Sequence, residues 1–345
     1  MVEGDVRFGV VGYGAGGRFF HSPFLQAAEG VSLSAVLARS AEKQALVRQD
    51  LPGTPVVDTL ADLVGVVDAV VITTPPATRR ALVLEALSLG LHVVADKPFA
   101  PDADIARELR DAANDAGLLL TPYHNRRWDP DFRTVQGLLA AGQVGEPVEF
   151  ESRFDLYEPW TIEGGPGGGV LSDLGSHLID QAFHLCGPVE RVRAELQPFD
   201  TDRGPSDAAF VMSLTHTSGV ISRLRAGKVG RATGRELRLS GTEAGYRSLR
   251  GTDVLPTALF AGGRPGDDGW GAEVPERWGE LVTADGVAPV PSATSSWEQY
   301  YEQFARAVRG TDVPPVTADE AIEVVRIIDA ARRSAEQDEV VLLRG

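Results

Sequence analysis

Six residues, Val6-Arg7-Phe8-Gly9-Val10-Val11, apolar but for one arginine, run directly into Gly12-Tyr13-Gly14-Ala15-Gly16-Gly17. Such a run suits a parallel strand buried on both faces. Gly12, Gly14 and Gly17 match G-x-G-x-x-G. Residues 18–28 then read as a helix that His21-Ser22-Pro23 must interrupt or kink. The glycines permit a tight turn and let a pyrophosphate approach the backbone amides and the positive end of a helix. A glycine-rich turn without a ligand is the competing reading. The order strand, motif, helix favours a dinucleotide.

The same rhythm continues. Residues 33–37 form a second strand, and Ser40 can cap a helix running to Gln49. Strands at 68–73 and 92–95 flank a helix over 78–88 that stops at Gly90. Asp102 can cap a helix over 103–116, with Gly117 at its exit and a strand over 118–121. This alternation predicts a doubly wound parallel sheet. After about Tyr123 the pattern changes. A helix over 131–141 precedes a strand over 148–154 that places Val148, Phe150, Ser152 and Phe154 on one face, as a half-buried antiparallel strand does. Further strands are expected at 189–196, 208–215, 220–225 and 236–239, a loop at 262–271, and helices at 296–309 and 318–336. The expected class is α/β, with a nucleotide-binding domain over 1–122 and a second domain over 123–345, an antiparallel sheet with helices on one face.

Composition narrows the function. The chain has 345 residues, 33 basic against 49 acidic, and a formal charge of −16. An acidic balance argues against nucleic acid, whose phosphates need a basic surface. No window approaches ~18 consecutive apolar residues, so no membrane span is expected. The start, 1–7, carries acids where a signal peptide has its basic residues, and a cytoplasmic enzyme is the expectation. The one cysteine, Cys186, cannot form an intrachain disulfide or a thiolate metal cluster. There are three lysines, Lys43, Lys97 and Lys228, against 30 arginines. A lysine inside a motif is therefore not there as ordinary surface charge.

Three places carry chemistry. At the end of the second strand an acid would bind the ribose of NAD. This chain has Arg39-Ser40, and arginine can pair with a 2′-phosphate, which favours NADP, with NAD possible if an acid such as Glu42 takes that role. Asp96-Lys97-Pro98 ends a parallel strand, on the edge where such sheets bind ligands. Finally, Asp173, His177, Asp180 and His184 would lie within about 60° of one another on a continuous helix. An Asp-x-x-x-His pair there can ligate a metal or hold an acid/base histidine beside a carboxylate. The second is favoured, and no metal is expected, because a third ligand is not evident and a nearby lysine would repel the ion.

The glycine-rich loop, Asp96-Lys97-Pro98 and Asp173-Leu174-Gly175-Ser176-His177-Leu178-Ile179-Asp180 together resemble the Gfo/Idh/MocA family. Phe20-His21-Ser22-Pro23, Asn125-Arg126-Arg127-Trp128-Asp129 and the segment ending in Gln181 are most similar to the subgroup containing NADP-dependent scyllo-inositol dehydrogenases. The resemblance implies a Rossmann domain followed by an α/β domain with a large open, mainly antiparallel sheet, which often forms homodimer or homotetramer interfaces. It implies Lys97, Asp173 and His177 as catalytic residues, and Arg127 and Asp180 at the substrate, a sugar or polyol. It places Gly12, Gly14, Ala15, Gly17, Arg39, Ser40, Thr74, Pro75 and Lys97 at the nucleotide. There are departures. Asp96 replaces the commoner glutamate, and Arg79 stands where many members have histidine. The loop over 156–165 is shorter than in inositol-type relatives and retains only Trp160 of their arginine-flanked tryptophan segment. The expected activity is hydride transfer between nicotinamide and a secondary hydroxyl or keto group. A non-catalytic NADP-sensing regulator and a redox-neutral, NAD-dependent glycoside cleavage are the alternatives.

Overall fold

A computed structural model describes residues 4–165 and 167–343. The first three residues of the acidic start and the last two of the second domain lie outside the described residues. Apolar runs again set the first half: β1 (Val6–Val11), β2 (Val31–Leu37), β3 (Val56–Val57), β4 (Ala69–Ile72), β5 (His92–Ala95) and β6 (Leu120–Pro122). They form one parallel sheet in the order β3-β2-β1-β4-β5-β6. All four residues of β4 are buried, as a central strand covered on both faces must be. The intervening helices are α1 (Ser22–Ala27), α2 (Ala41–Asp50), α3 (Pro76–Ser88) and α4 (Ala103–Ala116). Asp102 caps α4 by accepting from Ile105 N at 2.9 Å, and Gly117 leaves it in the left-handed conformation at φ 66°.

The helix expected after the glycine motif is interrupted at His21-Ser22, as that segment predicts, but its first part is not an α-helix. Gly16–His21 is a π-helical turn, and Ser22 Oγ donates to Gly17 O at 2.6 Å. Pro23 follows the break. It lies in the first turn of α1, where a missing N–H leaves no bond unmade.

The chain divides into two units. One comprises Met1–Asn125 with Ala258–Trp270 and Ser296–Ile322; the other comprises Arg126–Thr257, Gly271–Ser295 and Glu323–Gly345. The second contains α5 (Pro130–Ala140), β7 (Pro147–Asp155), α6 (Val170–Asp173), α7 (Gly175–Cys186), β8 (Val189–Thr201), β9 (Gly204–His216), β10 (Ile221–Gly227), β11 (Gly234–Gly241) and β12 (Gly245–Gly251). α8 (Val254–Phe260), β13 (Gly279–Thr283), β14 (Gly286–Val290), α9 (Glu298–Val308), α10 (Ala318–Gln337) and β15 (Val341–Leu342) complete the order.

Nine strands of the second unit form a sheet in the order β14-β13-β12-β11-β7-β10-β9-β8-β15. Its pairs are antiparallel except one: β7, which its alternation marks as an antiparallel strand, pairs parallel with β10 and antiparallel with β11. Phe150, Ser152 and Phe154 of β7 are buried as the alternation predicts, whereas Val148, at the start of the strand, is 52% exposed. Residues of α5, α6, α7 and the middle of α10 pack on the inner face, around Phe150, Phe154, Phe210 and Tyr246. On the other face β7 and its neighbours present charged pairs, Arg223 to Glu149 and Arg153 to Glu236 among them. No helix among the described residues is long and apolar enough to cross a membrane.

Candidate active site

In the first unit three loops leave the carboxyl ends of β1, β4 and β5. The strand order reverses direction between β1 and β4, which is where open α/β sheets bind ligands. Gly12 has φ +99°, a conformation that favours glycine, and a Cβ on Gly17 would come 2.2 Å from Gly12 O. A Cβ on Gly14 would meet nothing within 4 Å. The motif thus closes tightly on itself on one side and is open on the other, where a pyrophosphate fits. Thr73 Oγ1 donates to Gly12 O at 3.1 Å and so ties the β4 loop to this turn.

Arg79 is buried and joins the other two loops. It donates to Thr74 O at 2.9 Å and to Pro98 O. Thr74 and Pro75 are therefore held beside the Lys97 segment by a residue that sequence reading had noted only as a departure from the family. Lys97 is half-buried, and its N–H donates to Asp96 Oδ1 at 2.7 Å. Burial works against ionising Asp96, but the close approach of His21, with the charges of Arg79 and Lys97, holds the carboxyl down at about 2. At the end of β2, Arg39 is exposed, while the Ser40 side chain caps α2 by accepting from Lys43 N at 3.2 Å.

In the second unit the motif helix is divided at Leu174, into α6 and α7. His177 N bonds back to Leu174 O at 3.2 Å, so Asp173 and His177 are not on one continuous α-helix. Three members of the expected face have three separate partners. Asp180 receives two bonds from Arg127, at 2.9 and 2.6 Å, and both side chains are buried. His184 meets Gln136 at 3.1 Å. Asp173 Oδ2 receives Lys228 Nζ at 2.5 Å, and the same ammonium donates to Thr161 Oγ1 at 2.8 Å. His177 is 5% exposed. Among the described residues no group of three or more His, Cys, Asp or Glu is arranged to hold a metal ion.

Sequence reading missed two features here. Lys228 was visible only as one of three lysines. A buried charge network also lies beside Arg127. Arg126 makes two bonds to Asp253 at 2.7 and 2.9 Å, and Arg235 makes two to Asp131 at 2.9 Å and reaches Asp129 at 2.6 Å. Burial lifts the Asp129 carboxyl against the pull of both arginines, whereas Arg126 and Arg235 outweigh burial at Asp253 and lower it. Gln181 donates to Arg126 O at 2.9 Å, which fastens this network to α7.

Parallel strands in this order and a glycine turn at the switch point define a Rossmann-type fold, with a lysine at the neighbouring strand end. The chain matches an oxidoreductase family's NAD-binding Rossmann fold over residues 6–124 and its C-terminal alpha/beta domain over residues 136–343. It belongs to that family, Gfo/Idh/MocA. It is 33% identical to scyllo-inositol 2-dehydrogenase (NADP(+)) of Bacillus subtilis, covering 98% of this chain and 96% of that protein. It is 28% identical to D-xylose 1-dehydrogenase (NADP(+)) 2 of Haloferax volcanii, over 98% of this chain and all of that one. The solved structure of yvaA from Bacillus subtilis superposes with a TM-score of 0.90 at 32% identity, over 99% of each chain.

Proposed function

We propose that this oxidoreductase moves a hydride between the nicotinamide of NADP(H) and a secondary hydroxyl or keto carbon of a sugar or cyclic polyol. The observation that carries the reading is the convergence of the Gly12 turn, Thr74-Pro75 and Lys97 at three adjacent strand ends, tied together by Thr73 and Arg79. The open flank of Gly14 and the closed turn at Gly17 fit a dinucleotide's pyrophosphate. The relatives named for inositol and xylose support the substrate class, and their NADP dependence supports the cofactor.

The bound cofactor supplies or accepts the hydride. The remaining work falls to the chain. His177 takes the hydroxyl proton in oxidation and returns it in reduction. Lys97 donates to the substrate oxygen as charge develops on it. Asp173, which receives the Lys228 ammonium, orients His177 or a neighbouring hydroxyl. Arg127 and Asp180, bound to each other, contribute to the substrate side as one fixed unit. Arg39, exposed at the end of β2, pairs with the 2′-phosphate.

A panel of sugars and polyols, turned over with NADP and with NAD and followed at the nicotinamide absorption band, tests the reading. Substrate-dependent reduction with at least one cofactor is expected. Tight nucleotide binding without net reduction on any substrate would replace it with the regulator or the redox-neutral lyase. Arg39→Ala should weaken NADP about 10-fold or more, the worth of a charge-assisted contact, and leave NAD nearly unchanged. Equal weakening of both would remove Arg39 from the cofactor.

A further inference from the structure

His21 has no part in the mechanism above, yet it is fully buried at the end of the π-helical turn that follows the glycine motif. Its Nδ1 is hydrogen-bonded to the Tyr301 hydroxyl, and its Nε2 lies 3.4 Å from Asp96 Oδ2. Tyr301 is itself buried and packs edge-on against Phe8 of β1, with ring centroids 5.7 Å apart. The imidazole also lies over Tyr123 at 4.2 Å, and Tyr123 Oη donates to Phe20 O at 2.8 Å. Every neighbour of the ring is thus itself anchored.

The carboxylate that His21 faces is equally confined. Asp96 Oδ1 receives the Lys97 N–H, and Asp96 Oδ2 lies so close over the glycine motif that a Cβ on Gly16 would come 3.2 Å from it. An ionised carboxylate accepts only, so Nε2 turns its hydrogen toward Asp96 across the 3.4 Å contact, which does not close to a hydrogen bond, while Nδ1 is bonded to the Tyr301 hydroxyl. Burial keeps that phenol protonated and able to donate. Phenol, imidazole and carboxylate form one oriented series whose far end touches both the nucleotide loop and the backbone of Lys97.

We propose that His21 is a positioning residue: braced by Tyr301, it fixes the Asp96 carboxylate between Gly16 and Lys97, and so holds the nucleotide loop and the lysine in one geometry. The purpose of that geometry rests on the oxidoreductase reading. A misplacement of about 1 Å at such a site costs about 100-fold in rate, which is why a buried brace there has an effect.

Three variants test it. His21→Gln puts an amide nitrogen near the position of Nε2, His21→Leu removes both ring nitrogens, and Tyr301→Phe deletes one hydroxyl while keeping the ring. NADPH and NADH binding is followed by fluorescence titration on folded protein, with kcat and KM added for any alcohol that the wild type turns over. His21→Leu should weaken the preferred nucleotide about 10-fold, the worth of a lost contact to a charged group. It should lower kcat at least as much with little change in the alcohol KM. His21→Gln should recover most of both losses, and Tyr301→Phe should fall between. If His21→Leu does not fold, His21→Gln and Tyr301→Phe decide by the same titration against wild type. The proposal is overturned if His21→Leu binds nucleotide within about twofold of wild type, if glutamine rescues no better than leucine, or, where only the milder pair folds, if both bind as wild type. Wild-type protein that binds neither nucleotide overturns the oxidoreductase reading instead, so the two failures are distinct.

Discussion

Lys228→Met removes an ammonium and keeps a side chain of similar reach. In the folded protein Lys228 is 5% exposed and donates to Asp173 and Thr161. The backbone bonds of Lys228, its N–H to Ala208 O and its carbonyl from Glu158 N, are untouched by the substitution. Stranding a fully buried carboxylate costs about 3–5 kcal/mol. The Asp173 side chain is 31% exposed, so water recovers part of this and about 2 kcal/mol is a fair share. The neutral bond to Thr161 adds about 0.5–1 kcal/mol, giving roughly 2–3 kcal/mol in all. The reverse change, Asp173→Asn, strands the more deeply buried partner and should cost at least as much. Urea denaturation of wild type, both single variants and the double variant measures the coupling, read where far-UV dichroism and tryptophan fluorescence give one transition. The double variant should be more stable than the sum of the two losses predicts, by more than about 1 kcal/mol. Losses that add within about 0.3–0.5 kcal/mol would show that the pair carries no energetic weight.

Three shorter expectations follow. Gly17→Ala would bring a methyl to 2.2 Å from Gly12 O, so the loop must open by more than 1 Å; nucleotide binding in a titration should fall at least ~100-fold, and unchanged affinity would refute the cradle. Burial pushes His92 and His216 below the ordinary 6.5, with His216 donating to Gly187 O and accepting from Ser222, and His92 accepting from Leu119 N. The unfolded chain takes up these protons more readily than the folded one, so their stabilisation is complete above about pH 6.5 and is lost on acidification; Tm should fall from about pH 7 to 5, and less steeply in a His92→Asn, His216→Asn variant. The Cys186 thiol is buried and pushed up to about 11, so a colourimetric disulfide reagent at about pH 8 should label it only on unfolding, and rapid labelling of native protein would contradict its burial.

What could be read in advance and what could not divide along a physical line. A parallel strand buried on both faces is an uninterrupted apolar run, so β1, β4 and β5 stand out, and the caps at Ser40 and Asp102 are local signals. β12 to β15 escaped because little distinguishes them from loop: in β12 only Tyr246 and Ser248 are buried, and Val287 of β14 is 54% exposed. The candidate site splits the same way. Gly12, Lys97, Asp173 and His177 lie in short motifs whose neighbours in sequence matter, whereas Lys228 reaches Asp173 across 55 positions and Arg235 reaches Asp131 across 104. No spacing rule sees such a pair. The single face expected for Asp173, His177, Asp180 and His184 assumed one continuous helix, which the break at Leu174 interrupts, and spacing could not show that Asp173, Asp180 and His184 meet Lys228, Arg127 and Gln136.

Side-chain chemistry, more than spacing, held a clue to those partners. Where this chain buries a carboxylate against a single cation it uses the fork of arginine, and Arg127 on Asp180, Arg126 on Asp253 and Arg235 on Asp131 are each two-pronged. The planar fork grips a carboxylate with two parallel bonds and leaves Arg235 a further nitrogen for Asp129, whereas an ammonium is a compact point charge on a flexible stem. At Asp173 and Thr161 the chain places an ammonium instead, with one bond to each. In a sequence with 30 arginines and three lysines, Lys43 sits at the surface beside Glu42, whereas Lys97 is half-buried and Lys228 buried. That count singled out Lys97, and the same logic applied to Lys228 leads to the carboxylate at the head of the His177 helix.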